Sequence, residues 1–99
     1  MLAERTGIHN NVLQQICQFA KQYNIDTVIL FGSRARGDFK KRSDIDLAVS
    51  GGNIPAFSLA IDEETDTLLK YDVVNLDKHI DKALIDNIKK DGVIIYEKV

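Results

Sequence analysis

The residues of this sequence best suited to catalysis or ligand binding are two aspartates, Asp44 and Asp46, and a Gly-Ser pair ten residues before them. They belong to the stretch from Val28 to Val49, which reads VILFGSRARGDFKKRSDIDLAV. Because successive side chains of a strand point to opposite faces, the two acids share one face and the apolar residues beside them share the other. Neighbouring carboxylates repel and are costly to desolvate, which favours a hard divalent cation such as Mg²⁺ between them. The alternative is a strand that begins in solvent with two acids at its frayed end.

The Gly-Ser turn is suited to binding an anion. Gly32 follows four strand-forming residues and, having no Cβ, allows the backbone to approach a bulky group closely. Ser33 is predicted to cap a short helix, and the free amide groups of a helix N-terminus bind anions. The ten residues between Ser33 and Asp44 can return the chain beside the first strand. Phosphate-binding and metal-binding groups are therefore expected at one end of a sheet.

The segment from Arg34 to Arg42 is strongly basic. It carries five basic residues and one acid, a net charge of +4 in a chain whose net charge is −2. Such a focused basic patch in an acidic chain suits a polyphosphate. Guanidinium groups make bidentate contacts with phosphate, which favours Arg34 and Arg36 as phosphate ligands. Lys40, Lys41 and Arg42 are expected to form a solvated loop.

The spacing of these residues resembles the signature of the DNA polymerase beta-type nucleotidyltransferase superfamily. In that signature a hydrophobic residue with Gly-Gly or Gly-Ser is followed, after about ten residues, by Asp-hydrophobic-Asp/Glu-hydrophobic. The corresponding strings here are F-G-S and D-I-D-L. The fuller strings G-S-R-A-R-G and S-D-I-D-L-A-V resemble the minimal nucleotidyltransferases of the MntA-like antitoxin type. The matching stretch, Phe31 to Val49, covers about a fifth of the chain.

The resemblance implies a third carboxylate on a later strand. Asp72, in the run Y-D-V-V-N-L, fits this position. Asp77 is a weaker alternative, because it is better placed to cap the next helix. The implied catalytic and metal-binding residues, around two Mg²⁺ ions with Mn²⁺ left open, are Asp44, Asp46 and Asp72. The implied nucleotide-binding residues are Gly32, Ser33, Arg34 and Arg36.

The resemblance also implies an activity, namely transfer of a nucleoside monophosphate, often AMP from ATP, to a tyrosine of a protein acceptor. The implied partner is a HEPN-domain toxin encoded alongside, for which the nucleotidyltransferase acts as antitoxin in a hetero-oligomer. Two alternatives stay open: a non-catalytic module that neutralises a partner by contact, and nucleotidyl transfer to a small molecule. Nucleic acid is not expected as the main partner, because the chain is net acidic and its basic residues are confined to one segment.

The length and composition of the chain are those of one globular unit. Ninety-nine residues predict a single nucleotidyltransferase domain over 1–99. A composition of 44% hydrophobic and 28% charged residues is typical of a soluble protein. The sequence has no 18-residue apolar run and no secretory signal pattern, so we expect a cytoplasmic protein that does not contact the membrane.

The apolar periodicity predicts the elements that must position the site. Short alternating helices and strands predict an α+β fold in which helices pack against a sheet. The resemblance implies a small mixed sheet of three to four strands, with the three acids on neighbouring strands. The predicted helices cover residues 10–24, a short stretch after Ser33, 53–69 and 78–90. The predicted strands cover residues 27–31, the stretch from Asp44 to the Gly51-Gly52 pair, 71–76 and 93–96. Residues 1–8 carry no clear signal.

Overall fold

The computed structural model describes residues 2–99, which form a four-stranded mixed sheet with helices packed against it. The strands in chain order are β1 (Thr27–Phe31), β2 (Ile45–Ser50), β3 (Tyr71–Asn75) and β4 (Val93–Glu97), and their order in the sheet is β3-β2-β1-β4. Strand β1 is antiparallel to both of its neighbours, β2 and β4, while β2 is parallel to β3. The predicted α+β fold with a mixed sheet is therefore confirmed.

Five helices accompany the sheet within the described residues. They are α1 (Leu2–Thr6), α2 (Asn10–Gln22), α3 (Gly32–Arg36), α4 (Ile54–Glu64) and α5 (Lys82–Asp91). The residues that helix α2 buries recur at three- and four-residue steps, which line one side of a helix, and they are Val12, Leu13, Ile16 and Ala20. Helix α4 begins where Asn53 Oδ1 accepts a hydrogen bond from the Ala56 N–H, with Pro55 in the first turn. No helix within residues 2–99 has the length and apolar character needed to cross a bilayer.

The two faces of the sheet are covered unequally. One face contributes most of the core, where apolar residues of β1 and β2 pack with α2 and α4. The other face carries Phe31 and Ala48, which form a smaller cluster with Ile88 of α5. Asp46 is the cross-strand partner of Phe31, so its side chain projects from this second face. The acids predicted to do chemistry therefore lie on the side of the sheet that has the thinner cover.

Two predicted helix boundaries are wrong. Helix α4 ends at Glu64, five residues earlier than predicted, so Leu68 lies in the following loop and is fully exposed. Helix α5 begins at Lys82, four residues later than predicted. The reason is a turn at Asp77, whose Oδ2 accepts a hydrogen bond of 2.9 Å from the Gly51 N–H and caps no helix.

The start of α3 and the N-terminal segment also differ from expectation. Ser33 is the second residue of α3, and the N-cap is Phe31, whose side chain has no group that can accept a hydrogen bond from the helix N–H groups. The predicted cap at Ser33 is therefore wrong, because Gly32 is already helical. Residues 2–6 form α1, for which the sequence carried no clear signal. This short helix packs on α3, the helix that begins at the Gly-Ser turn.

Candidate active site

The three predicted acids lie on neighbouring strands at one end of the sheet. Asp46, the second residue of β2, is paired with Asp72 of the parallel strand β3. Paired residues project from the same face, so these two carboxylates lie side by side. Asp44 directly precedes β2, two residues from Asp46. Asp44 and Asp72 are exposed, whereas Asp46 is half-buried at the centre of the group.

Asp46 is the electrostatically perturbed member of the group. Burial raises the pKa of the Asp46 carboxyl above its ordinary value, and repulsion from Asp72 and then Asp44 raises this pKa further. Arg36 and Arg34 act in the opposite direction. Like charges held this close cost free energy, and a bound cation would offset that cost.

The donor chemistry of these acids fits a hard divalent cation. Carboxylate oxygens are the ligands that Mg²⁺ takes, usually with water or substrate phosphate completing the shell. Within residues 2–99, no three Asp, Glu, His or Cys side chains are already gathered around a point that could hold an ion. Asp44 and Asp72 are exposed, so their side chains are free to change rotamer.

Gly32 places the backbone of the Gly-Ser turn directly against the Asp46 carboxylate. Its φ of +74° lies in the left-handed region, which favours glycine. A Cβ at this position would overlap with Asp46 Oδ2. The structure therefore brings the Gly-Ser turn and the acids together, at the end of the sheet where β1 enters α3.

We expect Gly32→Ala to weaken both folding and the nucleotidyl transfer that the sequence motif predicts, because the new methyl group would displace the Asp46 carboxylate. Gly37→Ala is the matched control. Gly37 also has a positive φ, +89°, but the atom nearest to a Cβ added there would be the Arg5 carbonyl oxygen, at an ordinary contact distance of 3.7 Å. The control should lose roughly 1–2 kcal/mol of unfolding free energy from backbone strain alone. Denaturant melts and transfer rates compare the two variants. Equal losses in stability and transfer would show that contact with Asp46 is unimportant.

Arg34 is placed in the interior, away from solvent. It is only 2% exposed and its guanidinium donates three hydrogen bonds to backbone carbonyls. The Ser43 carbonyl accepts from Nε at 2.9 Å, the Thr6 carbonyl at 2.9 Å and the Lys41 carbonyl at 3.3 Å. The Arg34 Cζ also lies 4.7 Å from the centroid of the Phe39 ring. This geometry does not fit the predicted phosphate contact, because the side chain is enclosed by protein.

Arg36 lies on the outside of the same short helix. Its Nε and one terminal nitrogen donate to Asp38 at 3.1 Å and to Asp91 at 3.3 Å. These two hydrogen bonds are the main reason that the pKa of the Arg36 guanidinium is raised. The side chain is exposed and close enough to Asp46 to influence its pKa. Arg36 can therefore exchange its carboxylate partners for phosphate oxygens beside the acids.

Helix geometry explains why the Arg34 side chain is buried while the Arg36 side chain is exposed. Residues two positions apart in a helix point to nearly opposite sides, so Arg34 and Arg36 could not both face one ligand. That spacing was a usable signal in the sequence, and our assignment of both arginines to phosphate overlooked it. Reasoning from sequence also missed Arg5, which donates to the Ala35 carbonyl at 3.3 Å and joins α1 to α3. No motif marks Arg5.

Comparison with known proteins gives a consistent family assignment. The model of the family described as polymerase beta, nucleotidyltransferase matches residues 14–99. MJ0604 of Methanocaldococcus jannaschii, named as a candidate protein adenylyltransferase, is 37% identical over 81 residues, covering 73% of this chain and 79% of its own. A second protein of that organism with the same description, MJ0141, is 34% identical over 76 residues, covering 70% and 77%.

Solved structures agree on the fold. A mutant of the toxin-antitoxin MntA-HpeT has a TM-score of 0.68 at 19% identity, with 87% of this chain and 73% of that chain covered. A toxin-antitoxin crystallised with AMP-PNP has a TM-score of 0.63 at 23% identity, with the same coverage of 87% and 73%. At these identities the likeness is one of fold.

Proposed function

Since the chain belongs to the polymerase beta nucleotidyltransferase family, we propose that it transfers AMP from ATP to a hydroxyl group of a protein acceptor. The chain is an enzyme of the nucleotidyltransferase type, in line with its family and the names of its relatives. The observation that carries the finer proposal is the packing of the Gly32 turn against Asp46, with Asp72 paired beside it. This arrangement combines a close backbone approach with adjacent carboxylates, as a metal-bound triphosphate requires.

Each residue of the site has a proposed part in the reaction. Asp44, Asp46 and Asp72 would hold divalent ions, which neutralise the triphosphate and lower the pKa of the acceptor hydroxyl. The backbone of the Gly32-Ser33 turn and the Arg36 guanidinium bind the β and γ phosphates and so position the α phosphorus near Asp46. Asp72 is exposed at the edge strand, where it can accept the proton of the incoming hydroxyl.

The chemical step is an in-line displacement. The acceptor oxygen forms a bond to the α phosphorus while the bond from that phosphorus to the bridging β oxygen breaks. Pyrophosphate leaves with its electron pair, and the hydroxyl proton passes to the carboxylate base. Positioning and charge neutralisation supply most of the rate enhancement, because little covalent chemistry falls to the protein.

The proposed acceptor is a partner protein, and a HEPN-domain toxin is the specific candidate. The names of the M. jannaschii relatives describe protein adenylyltransferases, and the structural neighbours are toxin-antitoxin proteins. Under this proposal the chain acts as the antitoxin and inactivates its partner by adenylylation within a complex. Two Mg²⁺ ions, or Mn²⁺ in their place, are the proposed cofactors.

The direct test is incubation with α-³²P-labelled ATP and Mg²⁺, with and without the protein encoded by the adjacent gene. We expect label on that protein, and Asp44→Asn should remove it. Asp62→Asn, on the exposed side of α4, is the matched control and should transfer normally.

Three other outcomes would each contradict the proposal. A stable complex without label would favour neutralisation by contact. Pyrophosphate release without a labelled protein would favour a small-molecule acceptor. Label that persists in Asp44→Asn would contradict the proposed role of Asp44 in the mechanism.

We expect Arg36→Gln to raise the KM for ATP about tenfold or more, because a charged hydrogen bond to phosphate would be lost. Its melting temperature should hardly change, since exposed ion pairs contribute little to stability. Asp91→Asn is the control, because it breaks the Arg36–Asp91 pair but keeps the guanidinium. If both variants raised the KM for ATP equally, the role of Arg36 would be its bond to Asp91. Steady-state kinetics at varied ATP concentration decides between these results.

A further inference from the structure

A surface cavity of about 620 Å³ opens beside Asp44, on the side of strand β3. The loop between α4 and β3 supplies Leu68, Leu69 and Lys70 to its lining, and Arg42 completes it with Asp44. The Ile45 N–H donates to the Lys70 carbonyl at 2.8 Å, which holds this loop next to the start of β2. The cavity therefore shares Asp44 with the candidate active site.

The lining combines an apolar surface with free positive charge. Leu68 is fully exposed, although folding usually leaves large apolar side chains at least partly covered. Arg42 and Lys70 are also exposed, and neither pairs with an acid within residues 2–99. In a chain with a net charge of −2, two unpaired cations around an exposed leucine suit an apolar side chain flanked by acids.

The order of the strands decides which substrate approaches from this side. The Gly32 turn follows β1, and the cavity borders β3, so they lie on opposite sides of the β2 carboxylates. In an in-line displacement the attacking and leaving oxygens lie on opposite sides of the phosphorus. If pyrophosphate leaves toward the Gly32 turn, the acceptor must enter from the side of β3.

We propose that this cavity docks the acceptor protein, through a segment that carries the target hydroxyl, an apolar side chain beside it and acidic residues on its flanks. The apolar side chain packs on Leu68 and Leu69, while the acids pair with Arg42 and Lys70. This inference rests on the proposed function for the direction of attack. The docking itself can be measured without catalysis.

The experiment uses the intact chain with the protein encoded by the adjacent gene. Calorimetry without nucleotide gives the Kd of the complex, and label transfer gives the KM for ATP. The test variants are Leu68→Ala and the double charge reversal Arg42→Glu with Lys70→Glu. Leu59→Ala and Lys89→Glu are the matched controls, since both residues are exposed on helices away from the cavity.

We expect each test variant to raise the Kd about fivefold or more, as loss of a central interface contact does. The KM for ATP should stay within about twofold of wild type, and the controls should be unchanged. Mass spectrometry of the labelled partner should find an apolar residue and acidic residues next to the modified side chain.

Several results would overturn the docking proposal. A raised KM for ATP with an unchanged Kd would assign the cavity to the nucleotide. An unchanged Kd and KM, a labelled residue with basic flanks, or a wild-type chain that does not bind the partner would each contradict it. Failure of the proposed function is distinguishable, because a chain that binds its partner through Leu68 without labelling it would dock but not transfer.

Discussion

Asp46→Asn should lower nucleotidyl transfer by about three orders of magnitude, since metal-assisted charge stabilisation supplies several kcal/mol and each 1.36 kcal/mol is a factor of ten. Among the three acids, we expect Asp46 to contribute most to the rate of transfer, because it lies between Asp44 and Asp72 and against the Gly32 turn. The fold should tolerate the change or gain stability. Asparagine keeps the shape of the side chain while removing the negative charge that repels its two neighbours.

Two measurements separate this effect from misfolding. The rate of label transfer should fall, while the melting temperature without metal should stay equal or rise. Adding Mg²⁺ should raise the melting temperature of the wild type and leave that of Asp46→Asn almost unchanged, because a ligand stabilises only the state that binds it. Asp86→Asn, exposed on α5, is the control and should behave as wild type in both measurements. Transfer within tenfold of wild type would contradict the proposed role of Asp46.

Arg34→Met should destabilise the fold by about 3 kcal/mol, the cost of leaving buried hydrogen-bonding groups without partners. The methionine fills most of the volume but offers no donor to the carbonyls of Thr6, Lys41 and Ser43. For a domain of this size the melting temperature should fall by roughly 15 °C. Transfer should also weaken, because the Ser43 carbonyl held by Arg34 directly precedes Asp44.

Arg34→Lys and Arg42→Met test this explanation. Lysine keeps the charge but concentrates its donors on one nitrogen, so it cannot reach three separate carbonyls and should lose most of the same stability. Arg42 is an exposed arginine of the loop that joins α3 to β2, and its loss should change the unfolding free energy by less than about 0.5 kcal/mol. Thermal and denaturant melts give the values. If Arg34→Met were as stable as the wild type, the buried hydrogen bonds of Arg34 would make no net contribution to the free energy of unfolding.

Helix boundaries show where sequence reasoning succeeds and where it fails. The start of α4 was predictable, because Asn53 and Pro55 act through local backbone chemistry. The start of α5 was not, because a hydrogen bond between Asp77 and Gly51 joins residues 26 positions apart. Just beyond the end of α4, Asp66 exchanges hydrogen bonds with Gln15, which is 51 positions away along the chain. Helix α1 has five residues, too few to display a periodic pattern.

By itself, the sequence predicted alternating helices and strands and the proximity of the Gly-Ser turn to the acids, while the mixed sheet was implied by the resemblance to the family. The first two predictions depend on short-range rules: the period of apolar residues, the conformational freedom of glycine at Gly32, and the alternation of side chains along a strand. Each rule acts within a few residues along the chain. The pattern could therefore be interpreted before any contact was known.

Only the tertiary structure decided which charged residues face the site and which serve the core. Arg34 and Arg36 are chemically identical, yet one is enclosed by carbonyls of α1 and of the loop before β2, and the other remains exposed. The pairing of Asp72 with Asp46 and the cavity beside Leu68 likewise depend on strands and loops that meet only in the fold. Burial and contact between distant segments set these roles, and no local pattern of residue types encodes them.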